Sequence, residues 1–289
     1  MAVVKKKAKP APPAKPAGKV PAVRAAAALP AKTLDFAADA GAGMENTSAD
    51  DFAIPFIAIL QKGSPACDEA AGTAVEGASP GMFMETATGA LHEEISLIPC
   101  AYQRKFIKWG NRNAGGGFKG VFTPEQAIEM QTEGKVVDVD GKLYFPMPDG
   151  KVDVNRSDIL SDTREHYVIL LADEGPRQAI LSLTSTQIKK SKALNSALAN
   201  LRLSGPNGRF TPPTFANIVN ATTNGEKNDK GSWYGIEFSL QGQLDDPELY
   251  AMGKAFHSQI AEGKARVDYN KAEAPDAPQA AGSGENWSR

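Results

Sequence analysis

The alternation of hydrophobic and polar positions predicts a chain built mainly from β-strands. Residues 98–109 begin apolar and then alternate ring or β-branched side chains with long polar ones, which is the two-residue period of a strand. Successive side chains of a strand point to opposite faces. The two faces are therefore Tyr102, Arg104, Phe106 and Lys108 on one side, and Gln103, Lys105, Ile107 and Trp109 on the other.

Turn residues place the other strands. A hairpin turns at Thr88 and Gly89, and residues 136–145 form a second hairpin with Asp140 and Gly141 in a type I′ turn. Four more strands are predicted at residues 166–171, 178–183, 215–222 and 232–240, with a long polar loop between the last two. Pro55 interrupts the apolar run around it, which is therefore a broken helix or a buried extended segment.

Three helices are predicted, at residues 123–134, 184–202 and 246–263. The first begins with Thr123 as its N-cap, and the third begins at Asp246. Thr184 and Gln187 have the spacing of a capping box at the start of the second helix. Apolar residues recur on one face of the second and third helices, so both are expected to pack on the sheet.

This order of elements predicts an α+β fold, with an antiparallel β-sheet or OB-like barrel and two or three packed helices. Residues 1–34 are rich in Ala, Pro and Lys, and residues 269–289 are rich in Ala, Pro and Gly. Both segments have little apolar surface to bury, so we predict disordered tails there. Residues 35–268 are predicted to form a single domain.

The net charge of -2 conceals segments of opposite sign. Residues 1–32 hold eight Lys or Arg and no acid, whereas residues 33–94 hold eleven acids and one Lys. Residues 95–122 hold five basic residues and no acid, and residues 177–234 hold eight against two acids. If the last two segments converge in space, they form a cationic stripe on an acidic body; if they diverge, the pattern is surface patchiness. The Lys-rich N-terminal arm suits loose contact with polyanions, a nuclear signal or a solubilising tail.

Cations and rings occur together in both of these basic segments. Rings that stack on bases and cations along phosphates are what a single-stranded nucleic acid requires. The same pattern also fits an edge strand whose lysines prevent aggregation and whose rings pack inward. The candidate stacking residues are Tyr102, Phe106, Trp109, Trp233 and Tyr234. The candidate phosphate contacts are Arg104, Lys105, Lys108, Arg112, Lys119, Lys227 and Lys230, with Lys189, Lys190 and Lys192 as outer contributors.

Motifs of enzymes and metal sites are absent from the sequence. It has no Walker loop, GxGxxG after a strand, GxSxG, HExxH or CxxC. Three His and two Cys lack the spacing of a zinc site, and the two Cys fit a reducing cytoplasm. No apolar run reaches the length of about 18 residues that spans a bilayer. We therefore predict no cofactor, no metal, no membrane contact and no enzyme activity. A metal-dependent nuclease among the acids of residues 123–174 remains an alternative.

Several segments resemble a family of tailed-bacteriophage proteins. They are GAGMENTSADDFAIPFIAILQKGSP at residues 41–65, PGMFMETATG at 80–89, SLIPCAYQRKFIKWGNRNAGGGF at 96–118 and NDKGSWYGIEF at 228–238. The likeness covers residues 41–268, and members of the family are described as hypothetical or as single-stranded DNA-binding proteins. Replicative single-strand binders usually end in a strongly acidic tail with a terminal aromatic residue. This chain departs from that pattern, because its tail has few acids and ends in Arg289.

The resemblance implies sequence-independent binding of single-stranded DNA, or RNA, during phage DNA replication or recombination in the host cytoplasm. Phage replication or recombination proteins and further copies of the chain are additional candidate partners. The alternative is a phage structural or adaptor protein that binds other proteins, for which the acidic segment and the tails would be docking surfaces.

Overall fold

The computed structural model describes residues 42–47, 54–70, 72–229 and 231–272. The predicted N-terminal tail and residues 273–289 lie outside this range. The described residues fall into two compact units, one that ends at Thr47 and one that follows it. In the first unit, residues 42–47 contain a turn in which the Thr47 N–H donates to the Met44 carbonyl at 3.2 Å. All later descriptions concern the second unit.

The second unit is built on a large curled sheet with three α-helices. The strands are β1 (Phe56–Ile59), β2 (Phe83–Glu85), β3 (Leu91–His92), β4 (Ile95–Trp109), β5 (Phe118–Phe122), β6 (Val137–Val139), β7 (Lys142–Tyr144), β8 (Ile159–Ala172), β9 (Gly175–Thr184), β10 (Leu203–Gly205), β11 (Gly208–Phe210), β12 (Asn217–Asn228) and β13 (Gly231–Gln243). The α-helices are α1 (Pro124–Thr132), α2 (Ile188–Asn200) and α3 (Pro247–Ala261). Short 3-10 turns lie at Pro65–Cys67, Arg112–Ala114, Ser185–Gln187, Thr214–Ala216 and Tyr269–Lys271.

The main path of the sheet runs β13-β12-β4-β8-β9-β1-β2-β3. Strand β5 pairs with β4, and the β6–β7 hairpin joins β8 through β7. Every pair along this sheet is antiparallel except β1 with β9. The predicted α+β class is therefore confirmed, and the sheet is antiparallel apart from this one pair. Pro55 precedes β1, so the apolar run around it is an extended segment.

A β-bulge at Cys100 fixes which side chains of β4 face which helix. Pro99 pairs with Val168 and Ala101 with Tyr167, so Cys100 is an extra residue opposite no partner of its own. An inserted residue exchanges the faces of a strand beyond it. Before the bulge, the odd-numbered residues of β4 face α2. Beyond the bulge, the even-numbered residues of β4 face α2.

The core lies on both faces of the sheet. On one face, Leu194 and Leu198 of α2 pack against strand residues such as Leu97 and Val168. On the other face, Phe256 and Ile260 of α3 pack against a second set of strand residues. The helix α1 covers a smaller cluster that includes Phe106, Ala127, Val136 and Leu160.

Two glutamine side chains bind the free edge of β13 where the sheet curls back toward β1. Gln61, just beyond β1, donates from Nε2 to the Tyr234 carbonyl at 3.0 Å, and the Tyr234 N–H donates to Gln61 Oε1 at 2.8 Å. Gln187 donates to the same carbonyl at 3.2 Å and accepts from the Ile236 N–H at 3.0 Å. These amides satisfy backbone groups that a neighbouring strand would otherwise bind.

Three sequence predictions fail locally. Thr184 makes no side-chain capping bond, and Gln187 is used at β13 instead of in a capping box. The predicted polar loop between residues 222 and 232 is wrong, because β12 and β13 pair as far as Asn228 and Gly231. The predicted C-terminal tail begins too early, because Tyr269 is buried against Phe56 and Phe118. The predicted N-cap at Thr123 is confirmed, and the structure completes it to a capping box with Gln126. The predicted hairpin turn at Asp140 and Gly141, two residues with positive φ, is confirmed as well.

A buried histidine links β8 to α2. His166 Nε2 lies 2.7 Å from Ser191 Oγ, and both residues are at most 2% exposed. Burial lowers the pKa of His166 to about 4, because the imidazolium ion would lose its hydration.

Replacing Gln61 by Ala is expected to lower the free energy of unfolding by about 1–2 kcal/mol, since the Tyr234 N–H loses its partner at the edge of the sheet. Urea unfolding of the variant measures this. Gln131→Ala is the matched control, because Gln131 is an exposed glutamine of α1. Equal losses in both variants would contradict a closing role for Gln61.

The stability of the protein is expected to fall as the pH falls from 6.5 to about 4, owing to His166. In this window the unfolded chain binds a proton at the imidazole while the folded protein does not. The free energy of unfolding should therefore decrease by about 1.4 kcal/mol per pH unit. Urea unfolding across this range, compared with His166→Gln, isolates the contribution. Identical pH dependence in both proteins would show that His166 is not responsible.

Candidate nucleic-acid interface

A cleft of about 620 Å³ separates the α1 region from the curled sheet. One wall comes from α1 and the β6–β7 hairpin; the other comes from β1, the end of β9 and the 3-10 turn Ser185–Gln187. The first residues of β8 line the cleft between these walls, together with Arg104 and Phe106 of β4. Trp233 of β13 lines it as well. This volume is in the range of small-molecule and cofactor sites, and the lining combines apolar side chains with a few polar groups.

A second, smaller pocket of about 230 Å³ lies against the β12–β13 hairpin. We call it the hairpin pocket. It is lined by Lys62, Gly225, Glu226, Lys227, Ser232, Trp233 and Tyr234. Lys62 reaches it from the loop after β1 and places its ammonium 3.3 Å from Ser232 Oγ. Trp233 thus lines both the cleft and the hairpin pocket.

The two basic segments of the sequence meet only in part. Arg104 and Phe106 from the first segment line the same cleft as Trp233 from the second. Most other predicted site residues of the first segment point elsewhere. The two basic segments therefore meet in the cleft through only these three side chains among the predicted site residues that the structure describes.

Arg104 is paired with an acid inside the cleft. Its Nε and Nη2 donate to the two oxygens of Asp162 at 3.0 and 2.8 Å. The Asp162 carboxylate raises the pKa of Arg104, mainly through these hydrogen bonds. Arg164 Nη2 donates to the same carboxylate at 2.9 Å.

Lys190 and Trp233 share one carboxylate on the hairpin. Lys190 Nζ lies 3.1 Å from Glu226 Oε1 and also pairs with Glu237. The Trp233 indole N–H donates to Glu226 Oε2 at 3.0 Å. The hydrogen bond from Lys190 is the main cause that holds the pKa of Glu226 below its ordinary value, and the bond from the Trp233 indole lowers this pKa further. Glu226 therefore fixes the ring of Trp233 beside the start of α2.

Lys105 lies on the opposite face of the sheet from the cleft residue Arg104, and its ammonium group binds three partners there. Its ammonium is 2.8 Å from Glu165 Oε2, and it donates to the hydroxyls of Tyr167 at 2.7 Å and Tyr269 at 3.0 Å. Burial, and then the Glu165 carboxylate, raise the pKa of both hydroxyls, so they remain protonated. The predicted phosphate contact at Lys105 is corrected, because this cation neutralises a buried carboxylate.

Lys108 and Lys119 form a pair around Asp158, with distances of 3.2 and 2.6 Å. Lys108 Nζ also lies 3.9 Å from the centre of the Phe145 ring. None of these residues lines the cleft or the hairpin pocket. Their predicted role as phosphate contacts is not supported by this placement.

Two of the predicted stacking rings are core residues. Trp109 is 4% exposed and packs edge-on against Phe118, and Phe106 is 6% exposed under α1. Their role as stacking surfaces is therefore corrected, since a buried ring has no face for a base. Phe106 lines the cleft, but it exposes only 6% of its surface there. The inward packing of rings, an alternative that the sequence left open, describes both residues.

The remaining predicted rings are more accessible. Tyr102 is 40% exposed; its ring leans on His166, and its hydroxyl accepts from Arg164 at 3.1 Å. Tyr234 is half-buried in the hairpin pocket, where a side chain on Gly81 would collide with its ring at 2.7 Å. Trp233 is half-buried between the two cavities.

The remaining predicted cations divide into two groups. Within the described residues, Lys189, Lys192 and Lys227 are exposed and have no carboxylate within 4.0 Å. The side chain of Arg112 and all of Lys230 lie outside the described residues. Sequence reasoning missed Lys62, Asp162 and Arg164, which lie near the site. Lys62 follows an apolar strand without an adjacent ring, and the other two belong to a segment with many acids, so no local signal marks them.

The described part of the chain contains no group of three His, Cys, Asp or Glu side chains placed to hold a metal ion. It also contains no helix with the length and apolar character needed to cross a bilayer.

A family profile described as "Pam3 phage gp34-like protein" matches residues 24–266. The chain belongs to this family. It is therefore a bacteriophage protein, as the resemblance of its segments implied, and the match covers the whole cleft and the hairpin except for Ala272 at the cleft edge. No curated protein and no solved structure matches the chain.

The two described tryptophans are expected to respond differently to truncation. Trp109→Ala should cost about 3–5 kcal/mol of unfolding free energy, as for large core aromatics. Trp233→Ala should cost much less, because its ring is only partly buried between two cavities. Urea unfolding of both variants measures the difference. A larger loss of unfolding free energy for Trp233→Ala than for Trp109→Ala would contradict the assignment of Trp109 to the core and of Trp233 to the site.

Proposed function

We propose that this phage protein binds single-stranded DNA without sequence preference, at the cleft and the hairpin pocket, during DNA replication or recombination. The observation that carries the proposal is the position of Trp233. Its ring lines both cavities, and Lys62 and Lys227 lie with it in the hairpin pocket. A partly exposed ring flanked by cations is the basic unit of single-strand binding.

The roles of the residues differ from those suggested by the sequence alone. Trp233 is the main stacking ring, with Tyr234 beside it. Lys62 and Lys227 contact phosphates next to the rings, and Lys189 extends the cationic surface along the start of α2. Arg104 contacts a phosphate or a base edge from within the cleft. Lys192 and Tyr102 are outer contributors on the exposed surface.

The OB-like description of the sheet remains part of the proposal. An OB-fold is a five-stranded, partly open barrel that binds oligonucleotides on one face. Here the sheet has eleven strands and one parallel pair, and side chains bridge the gap between β1 and β13. The feature that the proposal needs is an open groove on a curled sheet.

A protein-binding role, as a phage structural or adaptor protein, is the second candidate. One observation favours it: Arg104, Lys105, Lys108, Lys119 and Lys190 each pair with a carboxylate of the same chain. Such pairing lowers the positive potential that a polyanion meets. In that case the cleft would receive a segment of another protein.

Replacing Trp233 by Ala is expected to weaken binding of a labelled (dT)20 oligonucleotide by about 1–3 kcal/mol, since a base loses its stacking partner. Fluorescence anisotropy at several salt concentrations measures this. Lys227→Gln should reduce the slope of log K against log salt by about 0.7, the value for one lost single-strand phosphate contact.

Phe210→Ala is the matched control, because Phe210 is an exposed ring, 48% accessible, that lines neither cavity. Its affinity should equal that of the unmodified protein. Absence of binding by the unmodified protein at low salt would refute the DNA-binding proposal and leave the protein-binding role.

A further inference from the structure

Two arginines on neighbouring strands converge on one carboxylate in the cleft. Asp162 accepts from Arg104 Nε at 3.0 Å, from Arg104 Nη2 at 2.8 Å and from Arg164 Nη2 at 2.9 Å. The three side chains belong to β4 and β8, where Arg104 and Arg164 are directly opposite each other. Two cations around one anion leave the cluster with a net positive charge.

One N–H donor of the cluster has no acceptor among the described residues. Arg164 is 8% exposed, and among the described residues its Nε has no hydrogen-bond partner. A buried guanidinium N–H without an acceptor is costly, and such groups call for an explanation. Arg164 Nη1 donates to the Tyr102 hydroxyl at 3.1 Å, which holds the guanidinium in place.

The cluster is reachable from solvent on the cleft side. Arg104 and Asp162 both line the cleft, and their side chains are 40% and 26% exposed. Arg164 lies behind them with a side chain 10% exposed. An anion entering the cleft therefore meets Arg104 and Asp162 first.

Carboxylate and phosphate present the same fork of oxygens to a guanidinium. Arginine binds either of them through two parallel N–H···O bonds. Asp162 already occupies the position that a phosphate group would take between the two arginines. Its partial exposure allows the carboxylate to turn toward water when another anion replaces it.

We propose that Arg104 and Arg164 form a phosphate subsite in the cleft, with Asp162 as a resident anion that a phosphate group displaces. The inference rests on the proposed function in taking the phosphate from a single strand of DNA. It adds Arg164 as a binding residue and makes Asp162 the residue that limits affinity. Exchange of one anion for another keeps the arginines paired in both states.

The first test compares Asp162→Asn with Asp158→Asn, using (dT)20 at several salt concentrations. Both variants remove one negative charge from a carboxylate held between two cations, but Asp158 lies outside the cleft. We expect Asp162→Asn to raise affinity about tenfold, because no resident anion has to be displaced. The salt slope should steepen by about 0.7, equivalent to one added phosphate contact. Asp158→Asn should change affinity less than about twofold, since its charge lies outside the contact.

The second test uses inorganic tripolyphosphate in isothermal titration calorimetry, so that it does not depend on DNA. Asp162→Asn should bind tripolyphosphate more tightly than the unmodified protein, and Arg104→Gln should bind it more weakly. Arg164→Lys keeps the positive charge but removes the planar guanidinium that can donate two parallel N–H bonds. We expect this variant to bind tripolyphosphate more weakly as well. Thermal unfolding of each variant confirms that it is folded, and Arg104, as the most exposed of the three, keeps the test valid if the others unfold.

The outcomes separate the two proposals. If (dT)20 binds but both Asp variants change affinity equally, the phosphate subsite is refuted while DNA binding stands. If tripolyphosphate binds with the expected order and (dT)20 does not bind, the anion site stands and DNA binding is refuted. Tripolyphosphate binding that is indifferent to Arg104→Gln and Arg164→Lys refutes the subsite directly.

Discussion

The gap between β1 and β13 in the curled sheet is bridged by the bonds that two glutamine side chains make to the edge of β13. Gln61 and Gln187 take the place of a strand at Tyr234 and Ile236, so the sheet bends round without a continuous ladder between β1 and β13. Because side chains and not a further strand bridge β1 and β13, open space remains on both sides of this junction. Gln61 itself lines the cleft and the adjacent Lys62 lines the hairpin pocket, so the same junction that holds the curl also borders both cavities.

Local sequence patterns predict the elements well where the deciding contacts are local. The N-cap at Thr123 and the turn at Asp140 involve residues within a few positions of one another, and both form as expected. Gln187 shows the limit of this reasoning. Its spacing from Thr184 suggests a capping box, but two backbone groups of a strand about 50 positions away bind it instead. Long-range pairing overrides a local preference that is worth only about 1 kcal/mol.

The same limit explains why the sequence overestimated the site. Trp109 and Trp233 each follow cations in the sequence, yet one is in the core and the other lies between two cavities. The faces of β4 did alternate as predicted, since Tyr102 and Arg104 lie opposite His166 and Arg164. What the pattern could not show is which helix covers each face, because the bulge at Cys100 reverses the relation between the two halves of the strand. Nor could it show the acids that neutralise the cations of β4 and β5, since these acids come from β8 and from the segment just before it.

Neutralised cations have a consequence for any polyanion that binds here. A surface of unpaired lysines gives strong binding that falls steeply with salt. In this protein Arg104 and Lys190 already have carboxylate partners, so a phosphate gains only the difference between two similar ion pairs. In the proposed complex with single-stranded DNA, stacking on Trp233 and the exposed Lys62 and Lys227 would then supply most of the binding energy. If a single strand of DNA binds as proposed, its contact with each copy would be correspondingly weak and quick to exchange. Tight coating of DNA would require many copies bound side by side, because the described part of one copy places few cations without a carboxylate partner at the two cavities.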